Sequence, residues 1–294
     1  MNEFLLKYRS LGERFDPNQV KINNCLRVNT YLIKEETLIK RMRKKGVTLK
    51  KIPYLKNGYT YQSEFSLGST PEYLLGYYYL QEAASQAPVQ ILQPKKGEKI
   101  LDMAAAPGGK TTQILQYIKN DGFVLGLDIR DDRLKSTKNN IERLGFTSYA
   151  LLNKDGRFVH DLGEKFDKVL LDAPCSGNFC IEPDYFKIRS ESDIYQKART
   201  QKQLIRGAIK TTKKGGQILY STCSLEPEEN ELVINWALEK FDVSIMKTNF
   251  DKADNGITKY KDTKLHPTLK LAKRFWPHKT NTQGFFVCKL QKNF

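Results

Sequence analysis

The stretch Lys99-Ile100-Leu101-Asp102-Met103-Ala104-Ala105-Ala106-Pro107-Gly108-Gly109-Lys110-Thr111 decides how the rest of this chain is read. A short apolar strand runs into small residues and two glycines, and an apolar helix over 113–118 follows. Such a turn lets the backbone approach a ligand closely, and the helix start presents free N–H groups beside it. The glycines lack the G-x-G-x-x-G spacing of dinucleotide folds, and a P-loop would need glycine where Ala104 stands. Further along, the strand 123–127 ends in Asp128, at the distance where nucleotide-binding α/β folds hold ribose hydroxyls. The strand 149–152 leads to Asp155. Strands continue to alternate with helices, read at 131–144, at 192–212 (closed by Gly215-Gly216) and at 227–241. This alternation predicts an α/β fold with a parallel sheet, closed by an antiparallel pair over 243–247 and 284–290.

Two further strand ends carry thiols. Val169-Leu170-Leu171 precedes Asp172-Ala173-Pro174-Cys175-Ser176-Gly177, and Ile218-Leu219-Tyr220 precedes Ser221-Thr222-Cys223-Ser224. In an open α/β sheet, ligands and chemistry gather at the carboxyl ends of the strands. A Gly-rich turn, two aspartates and two cysteines are thus expected along one edge. A buried small hydrophobe is the alternative for each cysteine, and a hydrogen bond that holds the turn is the expected role of Asp102.

These motifs carry a resemblance. The runs 101–111, 172–177 and Thr222-Cys223-Ser224-Leu225-Glu226-Pro227-Glu228-Glu229-Asn230-Glu231 resemble the Sun-family RNA cytosine-5 methyltransferases. So do Leu26-Arg27-Val28-Asn29-Thr30, Gln81-Glu82-Ala83-Ala84-Ser85, Trp276-Pro277-His278 and Gly284-Phe285-Phe286. The resemblance spans about residues 25–290 and is closest in length to compact archaeal and bacterial members, which leaves no room for an appended RNA-binding domain. It implies a Rossmann-like S-adenosylmethionine-dependent methyltransferase sheet with a small α+β N-terminal RNA-facing module. Residues 1–70 would form the module and 71–294 the catalytic domain.

The resemblance also implies roles. Cys223 matches the nucleophile, and Cys175 the acid/base that assists product release. Asp172 would hydrogen-bond the cytosine edge near N3 and N4 and border the cofactor. Lys110, Asp128, Arg133 and Asp155 match cofactor contacts, with the backbone of Ala104, Ala105, Ala106, Pro107, Gly108 and Gly109 beside the methionine part. Pro174 would fix its loop. Carbon 5 of cytosine is a poor nucleophile, so adding a thiolate to carbon 6 divides one hard step into two easier ones. A paired base would have to flip out to be reached. Three other readings stand beside this one. A DNA cytosine-5 methyltransferase would use Cys175 as nucleophile and not need Cys223. A non-catalytic RNA-binding assembly factor would tolerate loss of Cys223, Asp172 or Lys110, all of which are present. A NAD-dependent oxidoreductase would want different glycines.

Composition agrees with an RNA partner. The chain of 294 residues carries a formal net charge of +16. Residues 1–60 hold 14 Lys/Arg against 5 Asp/Glu and residues 246–294 hold 11 against 3, while the middle is nearly neutral. Basic flanks around a neutral centre suit a polyanion; generic solvated lysines are the competing explanation. Transfer RNA is the favoured substrate and ribosomal RNA the alternative. Five cysteines, 25, 175, 180, 223 and 288, argue against a disulfide framework, and their spacing argues against zinc. Cys25, Cys180 and Cys288 read as structural. No apolar run reaches membrane-spanning length and residues 1–10 lack a signal pattern, so a monomeric cytoplasmic protein with neither membrane nor metal is expected.

Near the start, 25–30 reads as a strand, 35–45 as a basic helix ended by Gly46, 47–54 as an extended run, and Asn57-Gly58 as a turn. Residues 61–71 read as a loop and possible boundary. The aromatic stretch 73–80 leads toward the catalytic sheet and reads as core or inter-domain packing, with stacking on RNA bases as the alternative.

Overall fold

In the computed structural model, which describes residues 2–293, the chain starts with helix α1 (Glu3–Ser10). A small module follows, built from β1 (Cys25–Val28), α2 (Glu35–Arg43), β2 (Thr48–Lys51), β3 (Gly58–Gln62), α3 (Pro71–Leu74) and β4 (Tyr78–Leu80). Its four strands form one antiparallel sheet in the order β2-β3-β1-β4. Leu38 and Met42, four apart on α2, face the sheet and pack with Leu26, Val28, Tyr59 and Tyr78, while the lysines and arginines of α2 face outward. Two readings are corrected here. Tyr61 and Gln62 belong to β3 rather than a loop. Residues 78–80 pair with β1 rather than leading into the catalytic sheet, because Tyr78 is wholly buried in the module's own core.

The large sheet is reached through α4 (Ala83–Leu92) and built from β5 (Lys99–Asp102), α5 (Gly109–Ile118), β6 (Phe123–Asp128), α6 (Asp131–Arg143), β7 (Tyr149–Asn153), β8 (Phe166–Asp172), α7 (Tyr185–Ile188), α8 (Glu191–Thr211), β9 (Thr212–Thr222), α9 (Glu231–Lys240), β10 (Val243–Ile245), β11 (Asp254–Asn255), a hairpin of β12 (Lys259–Tyr260) and β13 (Thr263–Lys264), β14 (Lys273–Phe275), α10 (Pro277–Thr280) and β15 (Phe285–Lys292). Strands β7-β6-β5-β8-β9 run parallel, and β15, β14 and β11 extend the sheet antiparallel beyond β9. From β5 the chain first builds outward through β6 and β7, then returns to place β8 on the other side. The crevice between β5 and β8 is the topological switch point where such sheets bind ligands. The antiparallel pairing of 243–245 with β15 is as expected, whereas β14 and β11 lie where no strand was read.

Two boundaries differ from the sequence reading. Gly215 and Gly216 sit inside β9, which starts directly after α8. Helix α9 begins at Glu231 rather than Pro227, because residues 227–230 form the turns that return from the Cys223 loop. Helix α1 leaves the module and packs Phe4 and Tyr8 against Tyr185, Leu225 and Trp276. The two main cores cover opposite faces of the large sheet: Leu101, Val169, Ile218 and Tyr220 face α8 and α9, while Ile100, Leu170 and Leu219 face α4 and α5. Among the described residues no helix is long and apolar enough to cross a membrane.

Candidate active site

The site forms where the parallel strands end. After β5 the chain turns at Gly108, whose φ of +104° at the start of α5 favours glycine. Asp102 is buried beneath this turn. Its carboxylate accepts from Thr111 Oγ1 at 2.8 Å and from the Ala104 N–H at 3.3 Å, and burial raises its pKa to about 6. This is the turn-holding role expected of it. At the end of β6, Asp128 accepts the Arg130 N–H at 2.9 Å, and Arg133 Nη1 lies 3.4 Å from its other oxygen. Arg133 also donates to the Ala106 carbonyl at 3.0 Å, which ties α6 to the Gly-rich turn. Asp155 caps the 3-10 turn Gly156–Leu162 and pairs with Arg157 at 2.6 Å; the hydrogen bonds from Arg157 hold its pKa low.

Asp172, at the end of β8, accepts from Lys110 Nζ at 2.6 Å on one oxygen and from Ser221 Oγ at 2.7 Å on the other. It thereby links the first turn of α5 to the end of β9. Burial opposes the Lys110 ammonium, but the charge of Asp172 and its hydrogen bond raise the Lys110 pKa on balance. Just beyond, the sulfurs of Cys175 and Cys223 lie 2.7 Å apart. Their contact first, then burial, pushes the Cys175 thiol well above its usual range, so Cys175 holds its proton. Asn178 donates to the Cys223 carbonyl at 2.6 Å and to the Gly284 carbonyl at 3.1 Å, which anchors the Cys223 loop to the start of β15.

A cavity of about 670 Å³ opens on this edge, with Ala104, Ala106, Asp128, Arg133, Asp155, Asp172, Cys175 and Cys223 in its wall. A smaller one of about 240 Å³ lies beside it, bounded by Ala104, Ala105, Ala106, Pro107, Gly109, Lys110, Asp172 and the stretch 79–82. Ala104, Ala106 and Asp172 are shared between the two. Lys110, Ala105, Pro107 and Gly109 therefore face only the smaller cavity, and Gly108 lines neither. Among the residues expected from sequence, the smaller cavity gathers the Gly-rich turn and the larger gathers the acids and thiols. Glu229, Gln201, Asn178 and Ser221, which brace this edge, were not singled out. The signal for Glu229 was the acidic run directly after Cys223, which dipole logic alone assigns to a helix start.

The larger cavity suits an adenosyl-methionine group. It has the size of a cofactor pocket, alanines where a ligand must approach closely, and the Asp128 carboxylate for ribose hydroxyls. Fold and edge together define a Rossmann-like methyltransferase. Residues 89–291 match the family described as "16S rRNA methyltransferase RsmB/F", and residues 2–83 match "N-terminal domain of 16S rRNA methyltransferase RsmF". The chain belongs to the RsmB/F family. A mouse protein named "28S rRNA (cytosine-C(5))-methyltransferase" is 40% identical over 98% of this chain, which spans 37% of that relative. The crystal structure of a methyltransferase homologue from Pyrococcus horikoshii superposes with a TM-score of 0.86 at 37% identity, covering 98% of both chains. That of NSun6 from Pyrococcus horikoshii with SFG gives 0.82 at 28% identity, covering 94% of this chain and 92% of that one.

Proposed function

We propose that this chain is an S-adenosylmethionine-dependent RNA cytosine-5 methyltransferase whose substrate is ribosomal RNA. The observation that carries the reading is the meeting of Cys175 and Cys223, from two different strand ends, at 2.7 Å in the wall of a cavity that also holds Asp128 and Asp172. S-adenosylmethionine, when bound, supplies an electrophilic methyl group. Ala104, Ala106, Asp128, Arg133 and Asp155 would hold it. Asp172, held by Lys110 and Ser221, faces both cavities and would hydrogen-bond the cytosine edge.

The thiolate of Cys223 adds to carbon 6 of cytosine, and the ring electrons gather at carbon 5, the atom to be methylated. On release the carbon-5 proton passes to solvent water, its bonding pair restores the ring double bond, and the pair of the sulfur–carbon 6 bond leaves with the Cys223 sulfur. Cys175, protonated and in contact with the Cys223 sulfur, would return a proton to the departing thiolate.

Of the two RNA classes weighed, ribosomal RNA takes precedence over transfer RNA, because the family description and the mouse relative both name it. The module before α4 and the basic C-terminal flank would grip the RNA backbone. Incubation with both ribosomal subunit RNAs and with transfer RNA, followed by bisulfite sequencing, tests this. Conversion resistance at a ribosomal cytosine is expected. Resistance in transfer RNA alone would overturn the substrate, and none in any RNA would overturn the activity.

A further inference from the structure

Glu229 is wholly buried between the two cysteine loops. Its carboxylate accepts from the Ser176 N–H at 3.0 Å, from the Ser176 hydroxyl, from Ser224 Oγ at 2.8 Å and from Gln201 Nε2 at 2.8 Å. Ser176 directly follows Cys175, and Ser224 directly follows Cys223. Gln201 also donates to the carbonyl of Pro174 at 3.0 Å, and the Tyr220 hydroxyl donates to the Glu229 carbonyl at 2.6 Å. A single carboxylate thus holds the residue after each thiol and, through Gln201, the residue before Cys175. Burial raises the Glu229 pKa, and the hydrogen bonds from Ser176, Ser224 and Gln201 oppose that shift; an ionised carboxylate only accepts, and each of these partners is able to donate.

We propose that Glu229 is a positioning residue that clamps the two cysteine loops together, holding Cys175 against Cys223, and sets its negative charge on the Cys175 side of the pair. The division of labour rests on the two-cysteine reaction proposed above; the clamp and its charge belong to the resting chain.

The charges around the pair are asymmetric. Cys175 faces Cys223, Glu229 and the phenols of Tyr185 and Tyr220, with Asp172 at the strand end and Glu182 and Arg189 elsewhere in the cavity wall. After the hydrogen bond to Cys223 and burial, the charges of Cys223 and Glu229 also raise the Cys175 pKa. On the other side, Cys223 is among the groups that favour the Lys110 ammonium, after burial, which opposes it, and after Asp172 and Asp102. The Glu229 carboxylate is tied to the residue after Cys175, whereas the Lys110 ammonium, held by Asp172, feels the charge of Cys223 on the other side of the pair.

The test uses the chain without RNA or cofactor, so it stands or falls separately from the methylation reading. Iodoacetamide labelling across pH, read by peptide mass, gives the acidity of Cys175 in wild type, Glu229→Gln and Glu229→Asp, with thermal melts alongside. In Glu229→Gln, Cys175 becomes more acidic. A unit of acidity gives tenfold more thiolate but a weaker nucleophile, so labelling below the pKa speeds up about threefold per unit. Glu229→Asp retains the charge and stays close to wild type. A Glu229→Gln chain that melts cooperatively and labels Cys175 on the wild-type profile overturns the proposal. If Glu229→Gln does not fold, Ser224→Ala decides: with the charge intact but one tether lost, closure of a Cys175–Cys223 disulfide by diamide should slow several-fold, and an unchanged rate overturns the clamp.

Discussion

The two edges of the large sheet bury different charged groups, and the helices explain why. At the carboxyl edge, α5, α6 and α9 begin, and the buried charges there are mainly carboxylates: Asp102, Asp128, Glu229 and Glu231. At the amino edge, α4 and α8 end. There the ammonium groups of Lys168 and Lys289 donate to the carbonyls of Gln93 and Ile91 at the end of α4, and those of Lys165 and Lys292 to Lys210 and Thr212 at the end of α8. Helix N-termini favour anions and C-termini favour cations. The lesson is that this chain's lysines are not one population. Some serve as helix caps, and only the rest remain for a polyanion.

The largest expected effect lies at the carboxyl edge. Cys223→Ala should abolish both methylation and the covalent RNA adduct. Cys175→Ala should permit attack and then stall, so that enzyme and RNA migrate together on a denaturing gel. An adduct from Cys223→Ala would reverse the two roles and make Cys175 the nucleophile.

Next comes the scaffold of that edge. Arg274 and Glu231 form a buried, two-pronged ion pair, with contacts of 2.6 and 2.5 Å, and Arg274 also donates to the Leu225 carbonyl at 2.9 Å. Removing one partner strands a buried charge, so Arg274→Met or Glu231→Gln should each cost about 3–5 kcal/mol by urea unfolding. The exposed pair Lys51–Glu35 in the module should contribute less than about 1 kcal/mol. Equal losses at the two pairs would erase the contrast between a buried, paired edge and a solvated module.

Much of the carboxyl edge was legible in the sequence, because apolar runs that stop at Asp, Gly or Cys mark strand ends directly. Asp102, Asp128, Asp172, Cys175 and Cys223 all lie where the strand reading put them. What stayed hidden depends on which distant groups meet. Nothing near Lys110 announces that its ammonium lies on Asp172, 62 residues away, nor does Glu229 reveal that it reaches Ser176. Short edge strands such as β11 and β14 lack periodicity, and β4 was obscured because Tyr78 buries into the module while Tyr77 and Tyr79 serve other contacts. The module's basic helix was read correctly, but not that Arg41 is already spent on the buried Glu72 at 3.0 Å.

That pairing sharpens the third prediction. Reversing Lys40, Arg43 and Lys44, all exposed on or just after α2, leaves Glu72 satisfied. If these residues touch phosphates, the salt dependence of RNA binding should lose roughly 0.7–0.9 of log–log slope per contact. Reversing Lys213 and Lys214 at the amino edge should leave the slope unchanged. The opposite outcome would make the lysines of the amino edge that cap no helix an RNA surface.

The smallest effect tests the cost of those caps. Lys289 is held at a pKa of about 8 against an ordinary 10.5, first by burial and then by the neighbouring charge of Lys168. The unfolded chain therefore keeps this proton up to about 10.5, the folded chain only up to about 8. Between those values the unfolded state binds more protons, so the folded state gains stability as pH rises, and below about 8 the full penalty applies. Lys289→Met removes this titration together with the hydrogen bond to Ile91. The lost bond shifts stability by the same amount wherever the lysine stays charged, so the diagnostic is the slope. Relative to the Lys289→Met variant, wild type should gain stability steadily from pH 8 toward pH 10 in urea unfolding. A difference that stays constant with pH would mean that Lys289 is solvated as an ordinary surface lysine, and that the amino edge carries its charge without strain.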